Sequence, residues 1–167
     1  MDQELRTFLR TKQSVAAESV RDGKPKLQHV AIRVRDLDAA ERLMTGVFGL
    51  ERMVRYEEGF EGFPGERRFS FVWLGQVFFE LVEQVSPPTI GFDTGVGLPI
   101  GHLNEIGYFV ADLDAELERL RRLGWVVQHR IASPGQRMAK VDTDPPSGIP
   151  MEILELTDEM DTLLNED

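Results

Sequence analysis

The sequence contains no cysteine. A disulfide framework, a thiolate metal site and a cysteine nucleophile are therefore excluded. Basic residues are scarce beside acidic ones, 19 against 29, for a formal net charge of −10. That field repels a phosphate backbone, so nucleic acid is a poor partner and a cation a better one. No stretch approaches the roughly 20 apolar residues of a membrane span. The opening residues Met1-Asp2-Gln3-Glu4-Leu5 lack the basic start and apolar run of a signal peptide. A cytoplasmic protein without membrane association is expected. What is present is a chain of 167 residues, 41% apolar, enough for a sizeable core in one domain or two very small ones.

The chain repeats itself. His29-Val30-Ala31-Ile32-Arg33-Val34-Arg35-Asp36-Leu37-Asp38 can be laid on Glu105-Ile106-Gly107-Tyr108-Phe109-Val110-Ala111-Asp112-Leu113-Asp114. Each segment runs into a helical pattern, Ala39 to Met44 and Ala115 to Leu120. Asp36 and Asp112 suit the N-caps, because a carboxylate there accepts from free backbone N–H groups. Glycines at Gly46 and Gly49, and at Gly124, suit the ends. Strand-like runs follow: Arg52–Tyr56, Phe69–Leu74 and Val77–Val82, then Trp125–Arg130, Met138–Val141 and Met151–Leu156. Gly- and Pro-rich loops, Gly59 to Gly65 and Asp144 to Pro150, separate them. The expected class is α+β: two βαβββ modules in tandem, at 27–83 and 105–156, forming curved mixed sheets around a cleft. A helical N-terminal extension (1–26, helix at 4–21), a linker (84–104) and a C-terminal tail or short helix (157–167) complete the chain.

Successive strand side chains alternate between faces. Val30, Ile32 and Val34 take the helix side in the first module, with Phe79 and Leu81. His29, Ala31 and Arg33 then face the cleft, with Glu80 and Val82. In the second module Ile106, Tyr108 and Val110 take the core side, and Glu105, Gly107 and Phe109 the cleft side. Glu152 and Leu154 lie opposite Met151 and Ile153. Each half thus offers two equivalent polar positions, His29 with Glu80 and Glu105 with Glu152. Three carboxylates converging with one imidazole repel unless a proton or cation sits among them. One nitrogen and three oxygens suit zinc, manganese, cobalt, nickel or iron(II). Arg33, also on the cleft side, either grips a substrate carboxylate or phosphate or neutralises a glutamate in place of a metal. Phe71 and Phe109 line an apolar wall or fill core. Arg67, Arg68, Arg137 and Lys140 are placed at a rim or in solvent, and His129 on a strand surface.

These residues resemble the vicinal oxygen chelate superfamily, which holds glyoxalase I, methylmalonyl-CoA epimerase, extradiol dioxygenases and the bleomycin and fosfomycin resistance proteins. The resemblance covers about residues 27 to 156. It is carried by Leu27-Gln28-His29-Val30-Ala31-Ile32, by Phe79-Glu80-Leu81, by Glu105 through Val110 with Asp112-Leu113-Asp114, and by Asp144-Pro145 through Gly148 to Met151-Glu152-Ile153. The epimerase-like subgroup looks closest, through Gly107-Tyr108-Phe109-Val110 and the acidic turn after it. The resemblance implies metal ligands at His29, Glu80, Glu105 and Glu152. The third is commonly histidine in the family; here it is Glu105, with His102 the reserve should that strand shift. Ser70 falls where the epimerase carries a strand base. It is counted with Arg33 and Phe109 among substrate-binding positions, and methylmalonyl-CoA itself is disfavoured as substrate.

The implied chemistry is metal chelation of two neighbouring substrate oxygens, with a carboxylate, Glu152 ahead of Glu105, removing the proton alpha to a carbonyl. That is a lyase or an epimerase-type isomerase acting on a small molecule, in a homodimer. The alternative is a metal-free protein that sequesters a drug, for which the net negative charge suits a cationic ligand. An extradiol dioxygenase is disfavoured, because it normally needs two histidines and one carboxylate around iron(II).

Overall fold

The computed structural model describes residues 3–21, 27–50, 53–56, 67–84, 103–144, 146–147 and 151–165. The loop expected at Gly59 to Gly65, most of the linker and His102 lie outside them. The element order is α1 (Gln3–Arg21), β1 (Leu27–Val34), α2 (Leu37–Phe48), β2 (Val54–Tyr56), β3 (Arg67–Leu74), β4 (Val77–Gln84), β5 (Leu103–Phe109), α3 (Leu113–Arg122), β6 (Trp125–Ser133), β7 (Gln136–Thr143), β8 (Met151–Leu156) and α4 (Glu159–Asn165). The fold is α+β, two tandem βαβββ modules behind an N-terminal helix. The chain divides into two units, His29–Asn104, and Met1–Gln28 with Glu105–Asp167.

Each unit carries a mixed sheet of the same design. In the first the strand order is β2-β3-β4-β1, with β1 parallel to β4 and the other neighbours antiparallel. In the second it is β5-β8-β7-β6, with β5 parallel to β8. Strands β6 and β7 outrun their sequence-based limits at the hairpin because antiparallel pairing continues to the turn, whereas β3 and β4 meet their turn where expected. Leu74 pairs with Val77 across Gly75 (φ 70°), and Ser133 with Gln136 across Pro134 and Gly135 (φ 77°). Proline then glycine at positive φ is the combination a type II turn needs. A Cβ on Gly135 would also come within 2.9 Å of Leu163 Cδ1 and 3.1 Å of Met160 Cα, so α4 packs directly on this turn.

The helices begin where expected. Asp36 accepts from Ala39 N–H and Asp112 from Ala115 N–H, both at 2.9 Å. Gly49, at φ 63°, forms the left-handed end of α2, whereas Gly46 lies inside that helix. On α3 the buried residues Leu113, Leu117 and Leu120 recur at helical spacing and meet Tyr108, Ala139, Val141 and Ile153. Leu37, Met53, Val72 and Leu81 form the matching core of the first unit. Within each unit, one sheet face is thus taken by the helix, and the alternate residues belong to the opposite face.

The repeat extends to its ion pairs. Asp38 on α2 joins Arg55 of β2 and Arg68 of β3 (3.4 Å), and Arg68 reaches Glu83 at 2.9 Å. Asp114 on α3 joins Arg130 of β6 (2.8 Å) and Arg137 of β7 (2.5 Å), and Arg137 reaches Glu155 at 3.2 Å. Arg68 and Arg137 are therefore ties between helix and sheet rather than rim or solvated charges. The hydrogen bond from Arg137, then that from Arg130, holds the Asp114 carboxyl below its ordinary 3.8. A carboxyl lowered on folding adds stability above its ordinary value and loses it as pH falls through the lowered one. Asp114→Asn is thus expected to lower the urea midpoint slightly near neutral pH, with the gap to wild type closing on acidification below about pH 4. A gap that widened in acid would refute the assignment. The site is exposed, so salt should shrink the gap as well.

Candidate metal centre

In the second unit, β5, β8 and β7 lie side by side, and their register decides what meets. Gly107 pairs with Glu152, and Glu152 with Lys140 on its other side. Glu105, two residues before Gly107, shares that face with both. Tyr108, Ile153, Ala139 and Val141 belong to the helix face, where they build the core. The polar trio is withdrawn from water: Lys140 is 3% exposed, Glu105 4% and Glu152 7%. An ion pair joins Lys140 Nζ to Glu105 Oε2. Glu105 and Glu152 also offer carboxylate oxygens within 4.8 Å of each other.

The trio sets two buried carboxylates beside one ammonium. Burial without compensation is costly, so such a pair favours a further positive charge beside it. Imidazole nitrogen and carboxylate oxygen are donors that zinc, manganese, cobalt, nickel and iron(II) all accept, so the residue types fit a divalent ion.

His129, paired with Lys140 across β6 and β7, is half-buried rather than a surface residue. Burial first, then the Lys140 ammonium, holds its imidazole below the ordinary value. Lys140 itself contradicts its expected place at a rim or in solvent. Its flanking residues Ala139 and Val141 pack under α3, so alternation turns Lys140 onto the glutamate face. The signal lay in the repeat, since Arg137-Met138-Ala139-Lys140 overlays Arg68-Phe69-Ser70-Phe71.

In the first unit, His29 pairs with Phe78 and Ala31 with Glu80 in the parallel ladder, so His29 and Glu80 share a face. His29 is 1% exposed and stacks on the Phe78 ring, with centroids 4.9 Å apart and planes at 18°. Glu80 is half-buried. Arg33 follows on the same face, half-buried and in register with Val82. Phe109, paired with Leu154, is buried on the face of Glu105 and Glu152.

Ser70 is different. It pairs with Leu81 on the helix face, and its hydroxyl donates to Glu41 Oε1 of α2 at 2.5 Å. A hydroxyl facing the helix does not reach the face of His29 and Glu80, so its expected contact with substrate is dropped.

A family model described as Glyoxalase/Bleomycin resistance protein/Dioxygenase superfamily matches residues 28–140. A search of curated protein sequences finds no match. Among solved structures, a methylmalonyl-CoA epimerase in complex with methylmalonyl-CoA and NH4+ aligns at TM-score 0.61 and 18% identity, over 81% of this chain and 96% of that one. The methylmalonyl-CoA epimerase of Mycobacterium tuberculosis gives 0.61 at 21% identity, over 81% and 91%. A hypothetical protein from Bacillus halodurans C-125 gives 0.64 at 16%, over 80% and 96%. At such identities the likeness is one of fold. Among the described residues, no helix is long and apolar enough to cross a membrane.

Proposed function

The chain belongs to the glyoxalase/bleomycin resistance protein/dioxygenase superfamily, and from that premise we propose that it is a metal-dependent lyase or epimerase-type isomerase. Its substrate is a small oxygenated compound that loses the proton alpha to a carbonyl. The observation that carries this reading is the buried pair Glu105 and Glu152, with oxygens within 4.8 Å of each other. Their counterparts in the repeat, His29 and Glu80, complete the proposed ligand set. A bound divalent ion would supply Lewis-acid stabilisation of charge developing on a substrate oxygen.

The other roles fall to the chain's own groups. Glu105 carries an ammonium at one oxygen, which weakens it as a base; the substrate proton is therefore assigned to Glu152, which would take it after loosening from the ion. Arg33 supplies a guanidinium for a substrate carboxylate or phosphate. Phe109 supplies apolar wall on the glutamate face, where low polarity strengthens each charge interaction. By the same family likeness, the assembly proposed is a homodimer.

Metal analysis of purified protein, refilled after chelation, tests the reading. About one equivalent of divalent ion per chain is expected, and less than about half an equivalent would count decisively against it. The second reading is a metal-free protein that binds a cationic small molecule. The Lys140–Glu105 pair favours it, because that pair already neutralises one carboxylate without a metal. A chelator separates the two: it abolishes turnover in the first case and leaves ligand binding intact in the second.

A further inference from the structure

We propose that Lys140 is a built-in counter-ion of the candidate cation site, a positioning residue that occupies one oxygen of Glu105 and weakens divalent-ion binding. The inference rests on the metal reading above. Three observations carry it. The first is the ion pair from Lys140 Nζ to Glu105 Oε2, between side chains almost wholly withdrawn from water. The second is register: Lys140 is the cross-strand partner of Glu152, so its stem runs beside both candidate ligands.

The third is the repeat. In the first unit the strand partner of Glu80 is Phe71, as Lys140 is that of Glu152. Phe71 is buried there and packs edge-on against Phe78, with ring centroids 5.9 Å apart. The fold accepts an apolar side chain at this place, so the ammonium answers the charge of Glu105 rather than a demand of the sheet. Where the first unit carries neutral-capable His29, it carries phenylalanine; where the second carries Glu105, it carries lysine.

An ammonium on Glu105 competes with any ion that approaches the same carboxylate. It takes one oxygen and repels a second cation, an effect amplified in a poorly hydrated site. The second unit's contribution falls from two negative charges to one. Lys140 thereby sets how strongly the site takes up a divalent ion.

The test is Mn2+ binding at fixed pH and ionic strength, by titration calorimetry, for wild type, Lys140→Met, Lys140→Gln and Lys140→Arg. Lys140→Gln keeps a hydrogen-bond donor without the charge and covers the case in which Lys140→Met does not fold. The neutral variants should bind Mn2+ about tenfold or more tightly than wild type, while Lys140→Arg stays close to it. Electron paramagnetic resonance of bound Mn2+ should differ between Lys140→Gln and Lys140→Arg, reporting the second Glu105 oxygen. Should both neutral variants fail to fold, Glu105→Gln and Glu105→Gln/Lys140→Met isolate the repulsion by the ammonium, with Glu152 the remaining buried carboxylate of the trio; the double variant should bind more tightly. Wild-type binding with unchanged or weaker affinity in the neutral variants overturns this inference alone. No Mn2+ binding by wild type or any variant overturns it together with the metal reading.

Discussion

Replacing Glu152 by glutamine is expected to slow exchange of the substrate's alpha hydrogen for deuterium by about 10²- to 10⁴-fold, the range for loss of a positioned general base. Glutamine is nearly the same size and keeps a carbonyl oxygen that accepts, so the side chain stays seated between Gly107 and Lys140. What it loses is the capacity to take a proton and the negative charge it would offer a bound ion, so the metal content of the variant is measured alongside and exchange is compared at equal loading. Nuclear magnetic resonance in deuterated water reads the exchange directly, without waiting for product. Unchanged circular dichroism alongside lost exchange would locate the effect in chemistry. Retention of the full exchange rate would remove Glu152 from the proposed role and send attention to Glu105. Wild-type protein that exchanges no alpha hydrogen of a substrate it turns over would exclude proton abstraction altogether.

The largest expected effect on stability lies on the other face of the same sheet. Leu117 is fully buried where α3 meets Tyr108, Ala139, Val141 and Ile153. Truncating it to alanine removes apolar contact and leaves a cavity that a sheet and a helix cannot close by shifting slightly. The expected cost is about 2–5 kcal/mol. Leu123, at 63% exposed, is the control from the end of the same helix; its alanine variant should stay within about 0.5 kcal/mol of wild type. Urea unfolding midpoints at one pH would show both. A loss below about 1 kcal/mol for Leu117→Ala would mean that α3 does not pack on this sheet face as described.

Much of the architecture was legible because it rests on local rules. Asp36 and Asp112 stand before helices, and a short acidic side chain there has a backbone donor to accept from in both copies. Leu113, Leu117 and Leu120 mark one helix face. Alternation from Val30 to Arg33 and from Glu105 to Phe109 separates helix-side residues from the opposite face. The same rule did not place Ser70 and Lys140. Ser70 stands between Phe69 and Phe71, apolar neighbours that give no hint of which face is polar. A lysine three residues from Arg137 reads as solvated until its neighbours are known. In both cases the deciding fact was the partner strand: Leu81 beside Ser70, and Glu152 beside Lys140.

The ion-pair ties from Arg68 and Arg137 were hidden for a related reason. Each joins a helix start to strands far along the chain, and charge alone does not name a partner. Arg55 and Arg130 enter the same networks from β2 and β6, strands whose alternation carries no polar motif.

The amino-acid sequence alone determined the duplicated plan, the helix starts, the absence of thiol chemistry and the residue types open to a cation, because each follows from spacing or composition. Tertiary structure decided which charges meet. Parallel pairing of β5 with β8, and antiparallel pairing of β8 with β7, brought Glu105, Glu152 and Lys140 to one buried face. Those contacts depend on register between segments distant in the chain, and hydrogen bonding across strands, not local preference, sets that register.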